Sequence, residues 1–270
     1  MELRAGCSGW SYSSWVGPFF PTDTKRRDFL KLYSAVFDTV EIDSSFYRSP
    51  SSWAVESWKR AVPQGFLFTA KMPKEITHDR KFIGCEEASD RFLRTIKLLG
   101  QSLGLVLIQL PPSYSYEESG GRLEDFLKFL PPDLQYAIEF RHTTWFNDRI
   151  YSLLEDLGMT LVWSELPYVK VPDRVTASTV YLRLIGDRSI REENFGKVQK
   201  DRTAEMLRWS ERLSRVQASI HRGYVFANNH FAGFGPDTVN QFMELMGRNP
   251  MEWRGRMMER ASPGQRTLPD

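Results

Sequence analysis

Glu41, Asp43, Lys71, Gln109, Glu139, Arg141 and Arg183 each stand at or just beyond the end of a short apolar run. Two glutamates among a lysine and two arginines suit two kinds of chemistry: acid–base hydrolysis, or capture of an anion. Successive side chains of a strand point to opposite faces. In TVEIDSS (39–45) this sets Glu41 and Asp43 against Val40 and Ile42. In FLFTAKMP (66–73) it sets Lys71 against Phe68 and Ala70, and in GLVLIQLPP (104–112) Gln109 against Val106 and Ile108. In YAIEFRH (136–142) Ala137, Glu139 and Arg141 oppose Tyr136, Ile138 and Phe140. In TVYLRLIG (179–186) Arg183 opposes Leu182 and Leu184. Charges gathered on an inner face are costly unless paired. The cluster is therefore either a network that plugs an interior or a ligand site whose charges are also paired.

Three further runs, LRAGCSG (3–9), TLVWSE (160–165) and YVFANNH (224–230), bring the count to eight. Most of the gaps carry helix-period apolar stripes, such as Phe29, Leu32, Tyr33 and Val36 within 25–37. Others lie near 86–100, closing at Gly100, at 122–130, across Ile150, Leu153, Leu154 and Leu157, and near 200–219. One helix is expected to open after Ser51 and Ser52, and the last at Pro236. Alternating strands and helices predict an α/β fold, a (β/α)8 TIM barrel, with its chemistry at the C-terminal ends of the strands. Between strands 6 and 7, LPYVKVPDRVTAS (166–178) has two prolines and no helical period, so a loop should replace the helix there. An open doubly wound sheet is the weaker alternative, because no Gly-x-Gly-x-x-Gly follows a strand. Residues 1–250 are read as one barrel domain and 251–270 as a tail whose last ten or so residues fray.

The chain has 270 residues, with Lys+Arg 36 and Asp+Glu 34, a net charge of +2. That balance demands neither nucleic acid nor a membrane, although Arg254, Arg256, Arg260 and Arg266 make the C-terminus locally basic. Two cysteines, Cys7 and Cys85, exclude a disulfide scaffold and form no Cys-x-x-Cys. With no signal-peptide core and no apolar run near ~20 residues, a cytoplasmic protein with no membrane and no obligate protein partner is expected. Cys7 reads as a small buried hydrophobe.

Loops should crowd the mouth. GWSYSSWVGPFFP (9–21) brings Trp10 and Tyr12, and Tyr47 and Arg48 follow strand 2. His78 follows strand 3, His142 and Trp145 follow strand 5, and Asn228, Asn229 and His230 follow strand 8. Aromatics beside cations suit sugars, bases or other flat ligands.

Seven ordered motifs carry a resemblance: GCSGWSY…W.G.FFP, FDTVEIDSSFYRSP, FTAKMPKEITH, IQLPPSY, AIEFRHTTW, YLRLIG and FANNH. Between about residues 4 and 245 the chain resembles the YecE-like family, domain of unknown function 72. The resemblance implies a TIM barrel and supplies no activity. Its matching polar positions here are Trp10, Tyr12, Glu41, Tyr47, Arg48, Lys71, His78, Gln109, Glu139, Arg141, His142, Trp145, Arg183, Asn228 and Asn229. The chain departs from it at Ile185, where the family usually has His, and at His230, where it usually has Asp.

The favoured expectation is a phosphate-bearing ligand, a sugar phosphate or a nucleic-acid backbone, held by Arg183, Lys71 and Arg141. The glycines of FAGFGPD (231–237), which leads into the last helix, would offer backbone N–H groups to the anion. Arg183→Ala should then weaken its binding. Hydrolysis of a glycosidic or phosphodiester bond would use Glu139 as base and Glu41 as acid, with His142 and Lys71 completing the catalytic candidates. Schiff-base chemistry at Lys71 is disfavoured by the carboxylates around it. A divalent metal on Glu41, Asp43, Glu139, His78 and His142 is compatible with the composition but not favoured, and no cofactor is identified. The remaining alternatives are a nucleic-acid-binding module without turnover and a purely structural network. No Gly-x-Ser-x-Gly elbow, P-loop or dinucleotide fingerprint occurs.

Overall fold

The structure, a computed structural model, describes residues 1–253. The expected tail beyond Trp253, with its four arginines, lies outside the described residues. Eight parallel strands form one sheet in the order β1-β8-β7-β6-β5-β4-β3-β2. They are β1 (Glu2–Cys7), β2 (Thr39–Ile42), β3 (Leu67–Lys71), β4 (Leu103–Gln109), β5 (Tyr136–Glu139), β6 (Thr160–Glu165), β7 (Thr179–Leu184) and β8 (Arg222–Ala227). The helices are α1 (Phe29–Val36), α2 (Ser52–Ala61), α3 (Glu86–Ile96), α4 (Tyr116–Ser119), α5 (Arg122–Phe129), α6 (Asp148–Asp156), α7 (Thr203–Val216), α8 (Asn229–Ala232) and α9 (Gly235–Leu245). This is the TIM barrel read from the sequence.

Local chemistry sets the helix ends. Ser51 caps α2 by accepting from the Ala54 N–H at 3.2 Å. Asn147 caps α6 in the same way through Ile150 N, and Pro236 lies in the first turn of α9. At its other end α3 runs into a 3-10 segment (Lys97–Ser102) that breaks at Gly100, where φ is +59°. The turn from Glu75 to Asp79 is a π-helix, and α4 and α8 are single turns. None of these three short elements is visible as apolar periodicity.

The barrel closes between β1 and β2 by one bridge, Ser8 to Glu41, supplemented by a side chain. The Cys7 N–H donates to the Tyr33 hydroxyl at 2.7 Å, and that hydroxyl donates to the Thr39 carbonyl at 3.0 Å. Tyr33 thus stands in for a ladder hydrogen bond, and its burial lifts the phenol well above its ordinary range. The seam has no room beside it. A Cβ on Gly6 would lie 2.1 Å from the Thr39 carbonyl oxygen and 2.8 Å from the Tyr33 hydroxyl. Gly6→Ala is therefore expected to wedge the seam and cost about 1–3 kcal/mol, measured by urea denaturation. Unchanged stability would mean that the seam yields freely.

Residues 166–178 form no helix, as expected. What holds this loop is Arg212 of α7, which is stacked over Trp163 at 4.0 Å and Trp209 at 4.7 Å. Its guanidinium donates to the carbonyls of Val171 and Pro172. A buried arginine here replaces the missing layer of helix by fixing loop carbonyls.

Inside the barrel, Leu67, Leu105, Leu107, Ala137, Val162, Tyr181, Tyr224 and Phe226 pack as their own core. The opposite parity, including Val40, Ile42, Phe68, Val106, Ile138, Leu182 and Val225, packs outward under the helices. Lys71, Gln109, Glu139 and Arg183 continue the inner face of their strands at the C-terminal end. After α9 the chain stays tied: Asn240 exchanges hydrogen bonds with the Met251 backbone, and Trp253 packs on Phe19 and Phe234.

Candidate functional site

Arg183 is the centre of the inner cluster and is only 1% exposed. Its Nε donates to Glu41 Oε2 at 2.9 Å and its Nη2 to Glu41 Oε1 at 2.6 Å. Its Nη1 donates to Glu139 Oε2. The planar guanidinium fork suits such two-point carboxylate pairing, in which charge-assisted bonds are roughly twice as strong as neutral ones. Tyr181, two residues earlier on the same face of β7, donates to Glu41 Oε2 at 2.6 Å and also contacts Thr69 Oγ1 at 2.8 Å. Glu139 takes a further bond from Arg141 Nε at 2.8 Å. Burial alone would raise the Glu139 pKa; Arg141, Arg183 and Lys71 overturn that and bring it down to about 2. Burial opposes the charge on Arg183, yet Glu139 and Glu41 hold its pKa well above the ordinary value.

Above this cluster the mouth is divided into two cavities. A first, of about 330 Å³, is bordered by Trp10, Tyr12, Asp43, Tyr47, Asn228 and His230, together with Arg188, Glu192 and Phe195. A second, of about 450 Å³, is bordered by Phe46, Lys71, His78, Gln109, Arg141, Tyr168, Ile185, Asp187 and Arg188. The pair of Lys71 Nζ and Asp43 Oδ1, at 3.0 Å, stands between them. The ammonium also lies 3.9 Å from the centre of the Phe46 ring. Burial works against the Asp43 carboxylate, but Lys71 and Arg183 lower its pKa. His78 accepts from Gln109 Nε2 at its Nε2, 3.3 Å away, and bonds Thr77 Oγ1 through Nδ1 at 2.8 Å. Burial, then Lys71 and Arg141, push its pKa down to about 4, so near neutral pH it is an uncharged imidazole.

The expected site residues therefore separate into groups. Trp10, Tyr12, Asp43, Tyr47 and Asn228 meet in the first cavity; Lys71, His78, Gln109 and Arg141 meet in the second. Glu41, Glu139 and Arg183 line neither, because they are spent on each other beneath the floor. Arg183, which the sequence reading gave to the ligand, thus has its guanidinium bonded to Glu41 and Glu139 and borders neither cavity. Trp145 is fully buried, stacks on Phe140 and donates to the Tyr114 carbonyl, so it is core under the rim. Asn229 is buried too, and its Oδ1 accepts from Trp15 Nε1 and from Gly235 N. Arg48 is exposed and borders neither cavity, and His142 bonds Thr144 on the outer rim.

The N-terminus of α9 is closed to an anion. Phe231 through Pro236 are buried, and the Gly235 N–H is already taken by Asn229. Ile185 and His230, where the sequence departs from the resemblance stated above, both reach the mouth: Ile185 borders the second cavity and His230 the first. Among the described residues, no group of three or more His, Cys, Asp or Glu is placed to hold a metal ion.

Sequence reasoning passed over Tyr181 and Arg188. Tyr181 shares the parity of Arg183 and was findable from it. Arg188 sits in a loop at φ +59°, outside any periodicity, and borders both cavities. Non-glycine residues in that left-handed region are uncommon and cluster at functional sites. The loop it occupies is set by Gly186, at φ +80°, where a Cβ would lie 2.4 Å from the His230 carbonyl oxygen.

Comparison with known proteins agrees with the motifs. A family model described as "Protein of unknown function DUF72" matches residues 4–263. UPF0759 protein YunF of Bacillus subtilis (strain 168) is 25% identical over 271 residues, covering 90% of this chain and 94% of that protein. UPF0759 protein YecE of Escherichia coli (strain K12) is 28% identical over 144 residues, 53% of this chain and 50% of that one. A crystal structure of a DUF72 family protein from Thermotoga maritima superposes with a TM-score of 0.79 at 27% identity, covering 92% of this chain and 100% of that chain. Another, from Enterococcus faecalis V583, gives 0.71 at 21% identity over 91% of this chain and 98% of that one, which supports the fold. With the match spanning nearly the whole chain and the barrel shared, the chain belongs to the DUF72 family.

Proposed function

We propose that the second mouth cavity binds the phosphate of a phosphorylated ligand, with Arg141, Lys71 and Arg188 as its cations. One observation carries this reading. Arg141 borders the cavity and, among the described residues, hydrogen-bonds through Nε alone, to Glu139. That bond orients the guanidinium and leaves both terminal nitrogens for a second acceptor. Lys71 lies alongside, and Arg188 makes no hydrogen bond or ion pair among the described residues. Lys71 and Arg141 are largely out of solvent, where low dielectric strengthens their pull on a dianion relative to water; Arg188 reaches in from the exposed rim.

The reading assigns no proton transfer to Glu41 or Glu139. Both are fully buried, and both already accept from Arg183. It is therefore a binding reading, and hydrolysis would need a base other than these two. A cytoplasmic setting belongs to the same proposal. It is supported by Cys7 and Cys85 being buried and unpaired, while none of the described helices is long and apolar enough to cross a membrane.

Titration calorimetry with inorganic phosphate tests the site. The native chain should bind it, and Arg141→Gln should weaken binding roughly 10–150-fold, the worth of a hydrogen bond to a charged group at about 1.5–3 kcal/mol. Equal affinity in the variant, or no binding by the native chain at millimolar phosphate, would reject the proposal.

A further inference from the structure

The two cavities differ in chemistry although they share one mouth and one arginine, Arg188. The second gathers the cations Lys71 and Arg141, and its one carboxylate among the described residues, Asp187, is held by Lys200 and Arg202. The first sets three open acceptors beside the donors Arg188 and Asn228. Asp43 gives Oδ1 to Lys71, and its Oδ2 has no hydrogen bond among the described residues. The Glu192 side chain has neither a hydrogen bond nor an ion pair among the described residues. His230 Nδ1 lies 2.9 Å from the Ile190 carbonyl oxygen, which can only accept. The ring proton is therefore on Nδ1, and Nε2 carries a lone pair. Trp10 and Tyr47 add aromatic surface to the same space.

We propose that the first cavity receives the hydroxyl-bearing ring of the molecule whose phosphate occupies the second, so that the ligand is a monosaccharide phosphate. The inference rests on the phosphate reading above and extends it to the substrate class. Sugar hydroxyls both donate and accept: they match the three acceptors, which take no hydrogen bond among the described residues, and can accept from Arg188 and Asn228 beside them. The C–H face of a sugar packs on an aromatic ring. A nucleobase would match less well, because it has fewer N–H donors for these acceptors than a ring of hydroxyls has O–H donors. At about 330 Å³ the first cavity lies at the small end of the ~300–1,000 Å³ range of small-ligand sites, room for one ring. The Lys71–Asp43 pair spans the junction, so one residue of the pair faces each half of the ligand.

The test is a calorimetric comparison of inorganic phosphate, hexose 6-phosphates, pentose 5-phosphates, and adenosine and cytidine monophosphates. The quantity read is the ratio of ester affinity to inorganic-phosphate affinity. Some sugar phosphate in the panel should exceed inorganic phosphate by roughly tenfold or more, the worth of about 1.4 kcal/mol. In a Tyr47→Ala/Glu192→Gln variant that ratio should fall to near one; both side chains are exposed, so folding is not at stake. If inorganic phosphate binds and no sugar phosphate binds better, the inference is wrong while the phosphate site stands. If the nucleoside monophosphates gain the affinity instead, the sugar assignment is wrong. If inorganic phosphate itself fails to bind, both the phosphate reading and this inference fall.

Discussion

Replacing Arg183 by leucine is expected to destabilise the chain by about 3–5 kcal/mol, because it strands two buried carboxylates at once. Glu41 and Glu139 are each 0% exposed and have no water to turn to. Glu139 would keep Arg141, but among the described residues Glu41 would keep only the Tyr181 hydroxyl. At roughly 2–4 °C per kcal/mol for a chain approaching this size, the melting temperature should fall by roughly 6–20 °C. The loss should be recoverable. Removing the charges together, in Glu41→Gln/Glu139→Gln/Arg183→Leu, takes away the unpaired ions and should restore much of the stability. Buried ion clusters replaced whole are often near neutral. Differential scanning calorimetry of both variants decides this. An Arg183→Leu melting temperature within a degree or two of the parent would mean that the cluster is not structural. The sequence alone suggested a different consequence of losing Arg183, namely weaker phosphate binding. The geometry routes the loss through stability instead.

The second large effect is acid unfolding. The Glu139 carboxyl titrates near 2 in the folded chain against an ordinary 4.5, despite its burial, because Arg141, Arg183 and Lys71 surround it. A depressed carboxylate stabilises the fold fully above its unfolded value and loses that contribution as pH falls through the folded one. Between roughly pH 4.5 and pH 2 the chain should therefore lose about 3 kcal/mol from this group. Asp43, lowered by Lys71 and Arg183, adds to the same slope. Urea unfolding across this range should show the steep loss in the parent. In Glu139→Gln, stability should be lower at neutral pH and flatter in acid. The same acid slope in the variant would place the linked proton elsewhere.

How far the sequence could be read follows from which signals are periodic. Alternation placed Glu41, Lys71, Gln109, Glu139 and Arg183 on the inner face, because β-strand parity does not depend on what lies opposite. It could not say which charges neutralise which. That is set by how β2, β5 and β7 come together across the barrel, which puts Arg183 between two glutamates and outside the lining of both cavities. The loop replacing a helix at 166–178 was legible from its prolines. Its lock, Arg212 between Trp163 and Trp209, was not, since α7 reads as an ordinary amphipathic helix.

Beyond the strand ends the reading failed more often, because loops carry no period. Trp145 and Asn229 follow strands as Tyr47 and Asn228 do, yet a turn rotates the first two into the core. The glycines before α9 looked like a phosphate cradle. They serve instead to let loops approach, as at Gly233, where a Cβ would lie 2.4 Å from the Lys197 carbonyl oxygen. Arg188, which borders both cavities, had no signal at all beyond its charge.

The polar mouth divides into an ion cluster below and, above it, the cations that we propose hold a phosphate. A crystal structure grown with tungstate, a heavy mimic of phosphate, tests that division most directly. Anomalous density is expected in the second cavity, within hydrogen-bonding distance of the Arg141 terminal nitrogens, with the Arg183–Glu41–Glu139 contacts intact. Tungstate seated at the N-terminus of α9, or drawing Arg183 away from its glutamates, would contradict it.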